Sequence, residues 1–592
     1  MTETWSDRTF GNDDLLPRVP VPTLADSCTR LLEWCAPLLS AEELAETERA
    51  VAQFQAPGSA AHELQAELER YDEQGGVHSW LDTFWPYRYL GRRDRIALNA
   101  NFFFLFGDSP LGQLPRAAAL IAAALDYKLR LDDERIPPIV LRGQPLSMAQ
   151  NKYLFATTRI PGAVLDTVRA PYSAAEPGPA AGRHVVVFRA GRPFRLEVLD
   201  AAGRPYSGAA LIDGLAEVVR QADALGRADA PVGHLTTMAR AEWATTRLTM
   251  LDDQVNAAAL DAIETALCCV CLDEAAPVDT QQACDLLLHG DSGNRWFDKA
   301  VSFVVFADGT AGINVEHCEL DGTTILAFVD ELLAGTPQEH PAEDGVPAVA
   351  PVEFAIDAEL GATARKAASA FADYAAATAT QCVAFPDFGA NRAKRLGMSP
   401  DAFAQLAFQL AHRRAKGVTG ATYESIATRH FRRGRTEAMR VVSVEALAFV
   451  DAMADPNADR DTRRAACRAA AAKHVARAKE CQAGDAPEQH LWELQLIQRR
   501  RGGDEAVLAL YDSPGWRIMR EDYLSTSSAP STNIQFFGFG STSQQCIGVA
   551  YVLLPDRLHV YLSTPRQVAG EMHRFAAELT TAIAELTALL MQ

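Results

Sequence analysis

The segment Gly312-Ile-Asn-Val-Glu-His317-Cys-Glu-Leu-Asp321-Gly322 sets an imidazole four residues ahead of a carboxylate. Histidine is the side chain whose ordinary pKa lets it take a proton near neutral pH and return it, as a general base must. Asp321 would pin the surrounding turn through an arginine or through backbone N–H groups. The flanking residues supply the support that a base needs. Ala300–Phe306 is a β-branched and aromatic run that reads as a buried strand. Asp308-Gly309 signals a hairpin turn in which both central residues take φ > 0. The return strand then starts near Ala311 and delivers His317 at its end. Beyond Asp321-Gly322, residues 323–333 space their apolar side chains like one face of a helix. His317 is thereby expected at a strand-to-helix corner. Spacing alone does not make it catalytic, because thirteen histidines are spread along the chain and most single histidines at strand ends are structural.

Other stretches carry chemistry less distinctly. Arg392, Lys394 and Arg395 gather in front of Ser399-Pro400-Asp401, a sound helix start with an N-cap, a proline at the first position and then an acid. Such cations either solvate a loop or receive a phosphate-bearing ligand. Ser525-Thr526-Ser527 lies in a serine-rich run that composition alone reads as a loop.

Bulk properties exclude several classes. A chain of 592 residues is too long for one core, so two domains or one large bilobal unit are expected. With 48% hydrophobic and 22% charged residues, it reads as an ordinary folded protein. The net charge of −20 argues against nucleic acid or an anionic membrane as the main partner. No apolar run is long enough to span a bilayer, and the N-terminus reads as neither a secretory signal nor a transit peptide, which points to the cytoplasm. The cysteines of Cys268-Cys-Val-Cys271 have no second pair at zinc-site distance. They read as small buried hydrophobes in a reducing compartment.

The proline-rich Leu16–Asp26 must be extended before a helix over 26–39. Glu-rich helices follow over 41–71, an apolar helix over 115–129, and a hairpin over 185–198. Gly335–Pro351, rich in Pro, Gly and acids, marks a linker or surface loop. Helices are then expected over 358–380, 399–414, 443–454 and 462–483. Strands follow over 533–539, 548–554 and 558–562, with a closing helix from about Arg566.

His317-x-x-x-Asp321-Gly322 resembles the motif of the CoA-dependent acyltransferase superfamily. The longer run Asn294-Arg-Trp-Phe-Asp-Lys299, Gly312 and Glu316-His317 resembles its choline/carnitine O-acyltransferase branch. So do Leu16–Asp26, the aromatic block from Trp80 to Asn101, Met148-Ala-Gln150 and Thr157–Gly162, in family order. The resemblance implies an α/β fold of two similar lobes, each of mixed sheet plus helices, with an active-site tunnel between them. The expected division is a helical segment 1–95 packing on the C-terminal lobe, a lobe 96–345 carrying His317, and a lobe 346–592 carrying the CoA- and acceptor-binding segments.

By resemblance, His317 is the catalytic base, Asp321 orients its loop and Ser527 steadies the oxyanion. Lys394, Arg392, Ser399 and Asp401 would bind CoA, with Ala390 standing where relatives have a first lysine. Tyr423, Ser425, Thr436, Gln489 and Ser525 would hold the acceptor. Here the sequence departs from carnitine enzymes, because Gln489 replaces an arginine that binds the carboxylate and Ala438 replaces a second threonine. Gln535 would shorten the acyl pocket. The implied reaction moves a short acyl group from acyl-CoA to a hydroxyl of carnitine or a related amino alcohol, with no metal and no cofactor beyond the CoA thioester itself. The rival reading is a biosynthetic acyltransferase that takes its donor from an acyl carrier protein and uses a non-carnitine acceptor. A non-catalytic binder on the same fold is disfavoured by retention of His317, Asp321 and Ser-Thr-Ser. Relatives suggest a monomer.

Overall fold

A computed structural model describes residues 5–335, 340 and 345–591. The β-branched and aromatic runs form the middle of an eight-stranded sheet. Its order is Val349–Pro351, Arg192–Glu197, His184–Arg189, Cys269–Leu272, Val301–Val305, Ala311–Val315, Phe102–Phe106 and Ile534–Phe539. The strands flanking the His317 turn are fully buried, which explains their continuous apolar runs. Val301–Val305 and Ala311–Val315 pair antiparallel from Val305↔Ala311 to Val301↔Val315, so the hairpin stands where expected.

Its turn differs in detail. Only Gly309 takes a positive φ, +90°, and Asp308 does not. Gly309 N–H donates to Phe306 O (2.9 Å), and the Asp308 carboxylate accepts from Thr310 N–H (3.0 Å), so the five-residue connection needs a single left-handed residue. A Cβ at Gly309 would stand 2.0 Å from Leu111 O, which leaves glycine as the residue that fits.

The chain forms two compact units, each assembled from separate stretches of sequence. The first comprises 1–13, 85–378 and 531–540, and the second 14–84, 379–530 and 541–592. The expected border at 345/346 therefore moves to 378/379. Within the expected linker, 336–339 and 341–344 lie outside the described residues. Val349–Pro351 is not loop but an edge strand paired with Leu196–Phe194. The strand Ile534–Phe539 joins the first sheet beside Phe102–Phe106, although it follows most of the second unit in sequence.

The second unit holds a six-stranded sheet in the order Thr378–Phe385, Leu558–Pro565, Ile547–Leu553, Leu524–Ser528, Thr422–Ala427 and Thr436–Arg440. The helices Pro400–Lys416 and Ala569–Leu590 pack together, and Phe403, Leu406 and Phe408 share a core with Val549, Leu562, Phe575 and Leu579. Each such fully buried side chain contributes roughly 1.5–3 kcal/mol. The helices Leu24–Cys35, Ala41–Phe54 and Ala60–Asp72 also belong to this unit.

Candidate functional site

His317 lies two residues beyond the strand Ala311–Val315, in a turn that ends where the helix Gly322–Leu333 begins. The turn is tight. Cys318 N–H donates to Glu316 O (2.8 Å), Glu319 N–H donates to His317 O (3.0 Å), and Glu319 adopts a left-handed φ of +61°. His317 Nδ1 is 2.8 Å from Leu320 O. A carbonyl can only accept, so Nδ1 carries the proton and the ring's lone pair lies on Nε2. The imidazole stacks on Tyr89 (4.7 Å, 13°) and tilts against Phe102 (5.1 Å), and its side chain keeps 22% exposure. A strand end, two aromatic faces and one carbonyl thus fix its ring plane and tautomer.

Asp321 is buried, and its Oδ1 lies 3.8 Å from His317 Nδ1, too far for a hydrogen bond. Gln150 engages it instead. Gln150 Nε2 donates to Asp321 Oδ2 (2.7 Å), while Gln150 Oε1 accepts from Asp321 N–H (2.9 Å) and Thr324 Oγ1 (2.7 Å). One amide therefore holds both the carboxylate and the first turn of the helix. Nearby, Asn101 Nδ2 donates to Asn314 Oδ1 and Phe297 O, both at 3.0 Å, which ties Phe102–Phe106 to the His317 strand.

On Ile534–Phe539, Phe537 pairs with Phe104 and its ring meets Phe102 at 6.2 Å, so it shares the sheet face of the His317 ring. Gln535 sits at a register shift opposite Leu105–Phe106, where the strict alternation breaks. Its amide donates to Phe106 O and Asp108 Oδ1, both at 2.9 Å.

In the second unit, Ser-Thr-Ser lies on the interior strand Leu524–Ser528 and not in a loop. That strand runs parallel to Thr422–Ala427 with Tyr423↔Ser525 in register. Across the next, antiparallel pair, Ser425 faces Ala438 and Ala427 faces Thr436. Strand alternation then puts Tyr423, Ser425, Thr436, Ser525 and Ser527 on one face. Thr422, Glu424 and Thr526 point to the other, where Gln409 and Gln405 of Pro400–Lys416 hydrogen-bond Thr422 and Thr526 (both 2.9 Å). Gln489 Nε2 donates to Thr436 O (2.8 Å), while its buried Oε1 has no hydrogen-bond partner. The Arg440 guanidinium covers the Tyr423 ring at 5.5 Å and is itself paired to Glu488 and Asp522.

The basic residues before Ser399 form a short helix, Ala390–Arg395, rather than a loop. Lys394 and Arg395 are exposed, and Arg392 Nη1 donates to Asp387 O (2.9 Å). Ser399 caps Pro400–Lys416 by accepting from Ala402 N–H. Asp401 accepts from Tyr551 OH (2.6 Å), and His474 Nε2 lies 3.0 Å from its other oxygen. Glu424 Oε2 lies 3.6 Å from the same nitrogen. Burial and the adjacent Asp401 push the Glu424 carboxyl well above its usual range. Burial also raises Asp401, but the His474 bond and charge together with the Tyr551 bond outweigh it and leave Asp401 low. Among the described residues, Asp401, Glu424 and His474 form a group whose donor atoms lie within 4.8 Å of one another and could hold a metal ion. A proton kept on Glu424 balances the same charges.

The sequence matches the family model described as Choline/Carnitine o-acyltransferase over residues 19–581. The chain belongs to the choline/carnitine O-acyltransferase family. It is 31% identical to rat carnitine O-acetyltransferase over 99% of this chain and 95% of that one. It is 30% identical to rat mitochondrial carnitine O-palmitoyltransferase 2, covering 93% and 88% of the two chains. It is also 30% identical to human choline O-acetyltransferase, covering 93% and 76%. This O-acyltransferase therefore transfers an acyl group to an alcohol. Among the described residues, no helix is long and apolar enough to cross a membrane.

Three side chains that support the His317 turn escape a reading of single residues. Tyr89 and Phe102 pack on His317, and Gln150 holds its turn through Asp321. Tyr89 and Gln150 are signalled only by their place in the family's order of motifs, and Phe102, one residue past the aromatic block, carries no signal of its own.

Proposed function

We propose that this acyltransferase moves a short acyl group from acyl-CoA to the hydroxyl of carnitine or a related amino alcohol, with His317 as general base. The observation that carries the reading is the Nδ1–H···O=C bond to Leu320, which places the lone pair on Nε2. Nε2 removes the acceptor's hydroxyl proton. The oxygen attacks the thioester carbonyl, forming a C–O bond and a tetrahedral oxyanion. As that oxyanion collapses, the C–S bond breaks and the thiolate takes the proton from Nε2. No acyl-enzyme forms. The Ser527 hydroxyl would steady the oxyanion, an effect worth about 3 kcal/mol where such donors have been removed. Lys394 and Arg392 would meet the CoA phosphates. Tyr423, Ser425, Thr436 and Ser525 would hold the acceptor, in keeping with their common face. Gln535 would limit acyl length.

One observation favours a second reading of the acceptor. Gln489 gives one amide N–H to Thr436 O and presents a buried acceptor oxygen. A carboxylate is repelled there, whereas an ammonium or hydroxyl is attracted. With Ala390 in place of the first lysine, a carrier-protein thioester becomes the matching alternative donor.

The test is thiol release from acetyl-CoA with L-carnitine, choline and uncharged or amino alcohols, using wild type and His317→Ala. Acceptor-dependent release that disappears in the variant supports the reading. Turnover with an amino alcohol and not with carnitine supports the Gln489 argument. Efficient use of palmitoyl-CoA would contradict the short acyl group. Release only from a phosphopantetheinylated carrier protein would move the donor assignment.

A further inference from the structure

The turn that carries His317 is anchored at its start by a buried network of charges that no step of the mechanism uses. Glu316, fully buried, precedes the imidazole. Its Oε1 accepts from Arg159 Nη1 (2.7 Å), and its Oε2 accepts from the Cys318 thiol (2.8 Å). Arg159 Nε donates to Asp166 Oδ2 (2.6 Å), which also accepts from Arg240 Nε (2.7 Å). Asp166 Oδ1 takes Arg93 Nη2 and Gly162 N–H, each at 2.9 Å. Arg240 Nη1 lies 2.8 Å from Asp298 Oδ1, and Trp243 Nε1 donates to Asp298 Oδ2 (2.6 Å). Arg159 N–H in turn donates to Asp298 O (2.8 Å). Arg159, Asp166, Arg240, Asp298 and Glu316 are all essentially inaccessible to solvent.

A network of this kind is a poor source of net stability, because stripping water from five charged groups offsets most of their attraction. It does fix geometry. Glu316 is held on both carboxylate oxygens by groups reaching it from a different strand and from its own turn. The direction in which the chain leaves Val315, and so the placement of the next side chain, is set by Arg159.

The network also sets charge. Without Arg159, the buried Glu316 carboxylate, one residue before His317, would lack its cation and favour the protonated imidazole. Without Glu316, a buried guanidinium would disfavour it. Among the described residues, Asp321, Glu319 and Tyr89 are charged or titratable groups close to His317, with the Arg88 guanidinium 5.8 Å from the Tyr89 ring.

We propose that Arg159 and Glu316 are positioning residues for acyl transfer, a buried ion pair that aims His317 and holds its proton affinity at the value the base requires. This rests on the reading of His317 as the base. The experiment titrates His317 directly, by 13Cε1-histidine NMR with the signal assigned by its loss in His317→Gln, alongside steady-state kinetics. Glu316→Gln is expected to lower the His317 pKa and Arg159→Gln to raise it, each by about one unit. The double variant Arg159→Gln/Glu316→Gln is expected to return it to the wild-type value. In all three, kcat falls by about tenfold or more while KM for both substrates stays within about twofold, as for a displaced base.

The proposal is overturned if the single variants leave the His317 titration at the wild-type value. It is equally overturned if kcat falls only in proportion to the folded fraction measured by thermal melting. If one single variant does not fold, the charge-neutral double variant decides the matter, because a wild-type kcat in it removes the aiming role. Absence of turnover in the wild type, with the opposed NMR shifts intact, would count against the proposed reaction and leave the charge argument standing.

Discussion

Around His317, the guanidinium groups of Arg93, Arg159 and Arg240 face the carboxylates of Asp166, Asp298 and Glu316. At the head of the helix Pro400–Lys416, Asp401 and Glu424 face one imidazole, His474, and one phenol, Tyr551. The first region meets each of these three carboxylates with a cation and needs no extra proton there. The second has more acid than base and must keep one. Burial can therefore serve a rigid frame or a titrating site, and what separates the two is the count of partners rather than the depth. Even in the frame, burial outweighs Arg240 at Asp298 and pushes its carboxyl up to about 6, still ionised at neutral pH.

The largest effect expected from breaking the frame comes at its far end. Gln150→Ala removes three hydrogen bonds from Asp321 and Thr324 and leaves a buried carboxylate short of a donor. We expect kcat to fall about 100-fold with a smaller change in KM, and stability to fall by about 1–3 kcal/mol. Steady-state kinetics and a denaturant melt read both. A wild-type kcat would mean that the turn holds its shape without this clamp.

Glu424→Gln sharpens the contrast from the other side. An acid with a raised folded pKa is favoured while protonated in the native state, so its contribution to stability is present at low pH and is lost as pH rises above about 4.5. Each unit of that window costs about 1.4 kcal/mol. The glutamine variant keeps the neutral form throughout. Its stability relative to wild type should therefore rise between pH 5 and pH 8 in paired melts. A difference independent of pH would show that Glu424 is not the proton-holding partner.

The smallest effect belongs to Ser399, whose hydroxyl caps the same helix. Ser399→Ala should cost about 1 kcal/mol and leave KM for acetyl-CoA unchanged if capping is its whole task. A tenfold rise in KM without loss of stability would assign it to the donor instead.

These regions also differ in how much of them the sequence discloses. The His317 hairpin is local, with two apolar runs, Asp308-Gly309 between them and a helical period after Asp321, and local chemistry specifies it. The start at Ser399-Pro400-Asp401 is legible for the same reason. The partners are not local. Gln150 reaches Asp321 across 171 positions and Arg159 reaches Glu316 across 157, and no periodicity encodes such pairings. Ile534–Phe539 reads as a strand from its own residues, yet nothing in them names Phe102–Phe106 as its neighbour, so the border between units is not legible from the chain. The proline-rich stretch Gly335–Pro351 ends in an edge strand, because proline suits an edge as well as a linker. The common face of Tyr423, Ser425, Thr436, Ser525 and Ser527 needs the register between strands, which only the fold supplies.

The account stands on the proton of His317. Its most direct test is the 15N spectrum of the histidine ring above its pKa, assigned by comparison with His317→Gln. The predicted result is a protonated, pyrrole-like Nδ1 held by Leu320 O and a pyridine-like Nε2 that carries the lone pair. A protonated Nε2 with a bare Nδ1 would contradict the account, since the nitrogen assigned to take the acceptor's proton would already hold one.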